Sequence, residues 1–299
     1  MTSLTTTSDF WHGLSRSIRE AWRTFRLAAW LGWQIESNWA DPFLFAVYSI
    51  ARPVASVLIL VVMYTVVTGG QTDQPIFAYI FLGNALYVLV GRVINGVSWA
   101  VIDDREHYRT LKHLFSSPMR EYFYLLGRGV SQTAIGIVSV IIVIGLGTLA
   151  FGLPISLQTI HWGLLGISLA LGVIALGAIG VILGSYTLTM ARHFFALGET
   201  VSGAFYLFSG AIFPLEVLPP PLRVIGFALP VTYWLELSRR ALLPDGFLGF
   251  PTLASLTNGQ LVGILGGGAV ALVVLSVIVF RWKMYVARER GAIDMETTY

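Results

Sequence analysis

The sequence predicts an all-α integral membrane protein. It reads as six transmembrane helices, an N-terminal amphipathic interfacial helix, and a re-entrant helical segment between spans five and six. Three observations carry this fold class. Of 299 residues, 56% are hydrophobic and only 12% charged, against about 25% charged in an ordinary soluble domain. Mean hydropathy is +0.74. The apolar residues also come in long runs of the length that a bilayer demands. So few charges cannot build a water-facing shell, which argues against a wholly soluble enzyme, a disordered chain or a nucleic-acid binder. Cysteine is absent, so disulfides, thiolate nucleophiles and Cys-ligated metals are unavailable.

A spanning helix needs about 20 mostly apolar residues. The candidate spans are 43–68, 76–101, 129–153, 162–188, 200–215 and 260–280. Pro42, Pro75 and Pro154 mark span edges, since proline fits poorly inside a helix. Residues 1–39 lack the compact apolar stretch of a signal peptide. The chain divides into a tail with the amphipathic helix (1–41), a six-span membrane domain (42–281) and a second tail (282–299).

Orientation follows from the distribution of Lys and Arg. One side collects Arg16, Arg19, Arg23, Arg26, Arg105, Arg109, Lys112, Arg120, Arg128, Arg192, Arg281, Lys283, Arg288 and Arg290. The other holds only Arg223, Arg239 and Arg240. Fourteen against three predicts that both termini are cytoplasmic, in a multi-pass protein of the cytoplasmic membrane.

Three segments are not spans. Over 14–33, Leu14, Ile18, Ala21, Trp22, Phe25, Ala28 and Ala29 share an arc of about 100°, opposite Arg16, Arg19, Arg23 and Arg26. That pattern suits a helix lying flat in the headgroup layer. The loop 102–128 is the most polar stretch. Its first half reads as a short charged helix ended by Ser116-Ser117-Pro118, with Asp103 and Asp104 as solvated charge. Its length favours docking over a mere topology signal. Residues 213–250 are apolar but broken by Pro214, Pro219, Pro220, Pro221, Pro230 and Pro244. They fit either re-entrant half-helices or an apolar cap on the bundle.

Ionisable residues inside spans are functional candidates. Arg52 and Arg92 each lie about 13 Å deep, within snorkelling reach of the headgroups. They read either as snorkelling side chains or as a cationic lining for an anionic headgroup. Glu199, Ser202, Tyr206, Ser209, Phe213 and Glu216 recur at helical spacing along span five, as a cavity lining or as a helix–helix interface. The patterns at Gly180/Gly184 and Gly259/Gly263/Gly267 allow close helix packing.

Enzyme motifs are missing. The only lysines, Lys112 and Lys283, follow no phosphate-binding loop, and no H-E-x-x-H or G-x-S-x-G occurs. His107 and His113 are six apart, off register for a shared metal on one helix face. The chain binds no cofactor or metal on this reading.

The residues resemble the membrane subunit of ABC-2 type transporters over most of the chain. The amphipathic helix followed by six spans carries the resemblance, together with EHYRTLKHLFSSP at 106–118 and the pair Gly127-Arg128. The runs GAFY at 203–206, FPLEVLPPPL at 213–222 and LPVTY at 229–233 complete it. The sequence departs at Arg109, where the family usually has Gly, and in the position of the acidic residue. The resemblance implies an ATP-driven exporter of a drug-like or lipid-like amphiphile, with a lipid-linked glycan or an ATP-independent carrier as alternatives. It implies a second copy of the permease or a close homologue, surrounding lipid, and separate cytoplasmic ATPase subunits that bind ATP-Mg. It also implies that a coupling segment at 103–115 docks the ATPase through Asp103, Asp104, Arg105, Glu106, Tyr108, Arg109, Leu111 and Phe115. The translocation path would then use Arg52, Arg92, Glu199, Ser202, Tyr206, Ser209 and Phe213.

Overall fold

A computed structural model describes residues 7–38, 42–70, 75–110, 113–114, 117, 119–190, 194–244 and 251–291. Among the described residues the only regular structure is helical, as expected of chains that must satisfy every backbone group within the membrane. The helices are α1 (Thr7–Asn38), α2 (Pro42–Thr68), α3 (Pro75–Ile102), α4 (Glu121–Phe151), α5 (Trp162–Thr189), α6 (Phe194–Phe208), α7 (Pro220–Ala228), α8 (Pro230–Leu242), α9 (Pro251–Ala254) and α10 (Asn258–Glu289).

Helix α3 is the axis of the bundle. It packs on α2, α4, α5, α6 and α8, and 72% of its most apolar window is buried, against 17% for α10. Phe77, Phe81, Leu82, Leu86, Leu89 and Ile94 lie at its heart. The Gly180/Gly184 pair of α5 packs on Val97 of α3, whereas Gly259, Gly263 and Gly267 of α10 face open space among the described residues.

Among the described residues, five helices are long and apolar enough to cross a membrane. The span expected at 200–215 takes a different form. Helix α6 starts earlier, at Phe194, and ends at Phe208 after 15 residues, about 22 Å of rise against a hydrocarbon core of about 30 Å. The chain turns at Ser209-Gly210, where Gly210 holds φ +75, a left-handed conformation that costs glycine little. Proline also proves tolerable inside one span: Pro53 lies within α2.

The amphipathic helix is longer than expected, and one of its faces packs within the bundle. Its buried face is the small-residue strip Ala21, Thr24, Ala28 and Gly32, while Ile18 and Trp22 of the expected apolar arc are about 60% exposed. The strip lies along α4. The hydroxyl of Thr24 reaches the Arg120 amide at 3.5 Å, and Glu36 reaches Gln132 at 2.6 Å. Twelve residues of each helix separate the two contacts, so α1 runs alongside α4 in the same direction. It does not lie across the end of the bundle. Small side chains on both helices permit this, because a methyl on Gly127 would come within 2.7 Å of the Ala28 methyl.

The proline-broken segment forms two half-helices, α7 and α8. Freed backbone groups are satisfied locally: Thr232 donates to the Gly226 carbonyl at 2.7 Å, and Tyr233 to that of Phe227 at 2.8 Å. Helix α8 is almost wholly buried, against α3, α5 and α10. Helix α10 starts with a reciprocal cap between Thr257 and Gln260. It runs past the expected end at 280 to Glu289, where Lys283 lies 3.9 Å from the Tyr186 ring.

Candidate functional site

The base-rich end of the bundle holds the expected coupling segment. Helix α3 continues without a break into a wider π-helical turn, Asp103–His107. That turn closes with the Tyr108 amide donating to the Asp103 carbonyl at 2.8 Å. Two expectations fail here. The charged residues extend the second span and do not form a helix of their own, and Asp104 is not solvated. Its carboxylate is 1% exposed, accepts from the Tyr124 hydroxyl at 2.7 Å, and lies 3.6 Å from Arg128 Nη2. The physical reason is register. Asp104 sits four residues after Ala100 and seven after Val97, on the buried face of α3, while Tyr124 and Arg128 are one turn apart on α4. A buried carboxylate without such partners would be prohibitively costly.

Arg105 is also buried. It donates to the carbonyls of Thr187 and Met190, at 3.3 and 3.1 Å, and to Glu106 at 2.9 Å. It thereby satisfies the orphan carbonyls at the end of α5. Of the other docking candidates, Tyr108 and Arg109 are exposed, and Asp103 and Glu106 half-buried. Leu111 and Phe115 lie outside the described residues. Arg109 has φ +49, a conformation in which a side chain is strained and glycine is not.

The path candidates separate into two groups. Ser202 and Tyr206 sit on the side of α6 that packs on α3, and Ser209 is buried in the turn just after it. Tyr87 donates to the Ser202 carbonyl, Tyr206 donates to Asn84 Oδ1 at 2.6 Å, and the Tyr87 and Tyr206 rings are 4.7 Å apart. This is a helix–helix interface. Glu199 is exposed on the same helix, and Phe213 is half-buried beyond its end. Arg52 and Arg92 form the second group: Arg52 is exposed on α2, and Arg92 is half-buried on α3.

A third polar cluster, at the opposite end, is absent from the sequence reading. Arg239 of α8 is 1% exposed. Its guanidinium carbon lies 3.6 Å from the centre of the Tyr79 ring, and Nη2 donates to the carbonyls of Gly210 and Ala211 at 2.8 and 3.3 Å. It thus pins the turn that ends α6 to both α3 and α8. Gly83 leaves room for this, since a methyl there would fall 2.0 Å from the Ala211 carbonyl oxygen. A cavity of about 20 Å³ beside it is lined by Ser209, Glu216, Thr232 and Glu236. The amphipathic spacing Glu236/Arg239/Arg240 was a legible signal, because α8 is otherwise too short and apolar to need three charges.

A family model described as ABC-2 type transporter matches residues 14–243, from the amphipathic helix to the end of α8. The chain belongs to the ABC-2 type transporter family. Among curated proteins, none matches it. As an ABC-2 permease it is a membrane-embedded transport subunit, in a family that generally pairs with ABC ATPase subunits. The matched region contains all three polar clusters. Arg109 stands where the resemblance predicts glycine, and its φ of +49 is a conformation that glycine adopts without strain.

Proposed function

We propose that this ABC-2 permease exports an amphiphile, drug-like or lipid-like, as a dimer with a second copy or a close homologue, driven by separate ABC ATPase subunits that bind ATP-Mg. Both termini and the 103–115 segment face the cytoplasm, and the protein resides in the cytoplasmic membrane. The observation that carries this reading is the construction of the coupling segment. Asp104 and Arg105 anchor it to α4 and α5, while Tyr108 and Arg109 project outward beside it. A force applied at the exposed pair is passed to two spans at once through short, buried contacts.

ATP binding closes the ATPase subunits and shifts the docked segment. The bundle then moves as the latch drags the near ends of α3, α4 and α5 together. The apolar, lipid-facing surfaces of α2, with Ile59, Val62, Val66 and Val67 exposed, leave an extended face for the second permease and the amphiphile between them. Substrate entry from the inner leaflet would pass Arg52 and Arg92, and exit would pass the α7–α8 pair.

The test is a reconstituted permease–ATPase complex carrying Tyr108→Ala with Arg109→Glu. Both side chains are exposed, so assembly of the bundle should survive. We expect substrate-stimulated ATP hydrolysis to fall at least about tenfold, roughly the loss of one good interfacial anchor. Unchanged stimulation would sink the docking role.

A further inference from the structure

The polar cavity beside Arg239 is lined by separate elements of the fold. Tyr79 comes from α3, Ser209 from the turn that ends α6, and Glu216 from the short turn Leu215–Val217. Helix α8 supplies Thr232, Glu236 and Arg239. Half of these groups are engaged within the protein. The Tyr79 hydroxyl donates to the Gly210 carbonyl at 3.0 Å, and the Thr232 hydroxyl to that of Gly226 at 2.7 Å. Glu236 Oε1 accepts from Arg240 Nε at 2.9 Å. Three atoms around the same cavity are buried and meet no hydrogen-bond partner: Ser209 Oγ, Glu216 Oε1 and Arg239 Nε. Ser209 and Arg239 are each 1% exposed.

These groups cannot easily turn elsewhere. Arg239 is held by two carbonyls and the Tyr79 ring. The backbone that carries Glu216 is fixed by Arg223, whose Nη2 donates to the Glu216 carbonyl at 2.9 Å and to that of Leu218 at 3.2 Å. A buried polar atom left without a partner is costly, and three around one cavity call for a common ligand.

Charge and size select that ligand. Glu216 and Glu236 are balanced by Arg239 and by Arg240, which is paired with Glu236. An added cation or anion would therefore bring uncompensated charge into a buried place. The ligand must be neutral, and it must both donate and accept. The cavity offers about 20 Å³ to a water-sized sphere, and one water needs at least about 10–15 Å³ and two to four polar partners.

We propose that this cavity is a specific binding site for an internal water molecule. The water donates to Glu216 Oε1, accepts from Arg239 Nε–H, and takes the Ser209 hydroxyl as its third partner. It joins the turn that ends α6, the Leu215–Val217 turn and α8, so the irregular outer segment rests on the bundle through a polar bridge. The inference stands on the fold alone and is independent of what the permease exports.

The experiment is X-ray radiolysis of the purified full chain in neutral detergent, with side-chain oxidation read by mass spectrometry. Radicals formed at a bound water oxidise the buried side chains beside it. Tyr79 and Leu215, 5% and 3% exposed, are compared with Phe81 and Leu89, which are 0% and 1% exposed in the apolar core. Tyr79 and Leu215 should be oxidised at least about fivefold faster than their counterparts, because only they adjoin a water site. A bulk radical scavenger should protect the exposed Val217 and leave Tyr79 and Leu215 largely oxidised. Ser209→Val, which fills the cavity and removes a partner, should bring both down to the level of Phe81 and Leu89. Glu216→Leu should lower them about twofold or more by removing the acceptor. If Ser209→Val does not fold, Glu216→Leu decides, since Glu216 is half-buried and its replacement leaves the packing of α8 in place.

Tyr79 and Leu215 oxidised no faster than Phe81 and Leu89 would overturn the proposal, because the cavity would be dry. Oxidation that the scavenger quenches as fully as at Val217 would also overturn it, by showing open access to bulk solvent. A thermal midpoint that rises with sodium or potassium but not with N-methylglucamine, and loses that rise in Glu216→Leu, would replace the water with a cation.

Discussion

Arg128 and Arg239 are both almost completely buried, at 3% and 1% exposed, at opposite ends of the same bundle, yet they are held by opposite means. Arg128 faces a carboxylate: Asp104 at 3.6 Å, itself gripped by Tyr124. Arg239 is held by neutral groups, the carbonyls of Gly210 and Ala211 and the face of Tyr79. The first arrangement is close to electrically neutral and ties the Asp103–His107 turn to α4. The second keeps its charge and ties an irregular turn to two helices. A buried ion pair is costly to break from one side only, because the survivor is left unpaired. A cation on carbonyls leaves behind only polar groups, and one of these, the Gly210 carbonyl, still has the Tyr79 hydroxyl at 3.0 Å. The Asp104 end should therefore be the more brittle to truncation.

The largest effect should come from Asp104→Ala, which strands the Arg128 guanidinium and the Tyr124 hydroxyl. Unfolding in detergent should show a loss of about 3–5 kcal/mol. Joint replacement by Asp104→Leu with Arg128→Met should recover most of it, and a double variant no better than the single would break the comparison. Arg239→Met comes next. It orphans chiefly the Ala211 carbonyl, for about 1–3 kcal/mol, readable as a lower thermal midpoint. A loss exceeding that of Asp104→Ala would reverse the ranking of the two ends. Arg109→Gly should stabilise the protein by about 1 kcal/mol, by removing the left-handed strain at φ +49. A destabilised variant would show instead that the Arg109 side chain has contacts outweighing that strain. The smallest effect belongs to Arg288→Ala. Its 2.7 Å pair with Glu121 is 58% and 27% exposed, so chemical denaturation should register no more than about 0–1 kcal/mol. A larger change would mean that this pair is coupled to the buried Asp104–Arg128 contact.

Much of the fold was legible because hydropathy runs and proline positions respond directly to the bilayer. The helical class, the ends of α3 and α5, and the two half-helices after Pro219 all follow from residues adjacent in sequence. The misplaced features depend on neighbours far along the chain. Asp104 reads as solvated until Tyr124 and Arg128 are placed opposite it. The polar stripe of α6 reads equally as a path until Asn84 and Tyr87 arrive on α3 to meet it. The arc of α1 reads as a membrane-facing surface, and the structure adds that the small face is the buried one, because α4 comes close where both helices lack bulk.

The sequence by itself determined that this chain lives in a membrane, has no phosphate-binding loop of its own, and carries the marks of an ABC-2 permease. Only the tertiary structure decided which of its few charges are structural. Asp104, Arg105, Arg128 and Arg239 are bound within the bundle. The reason is that composition sets the cost of burying a charge, whereas the partner that offsets the cost comes from a helix tens of residues away.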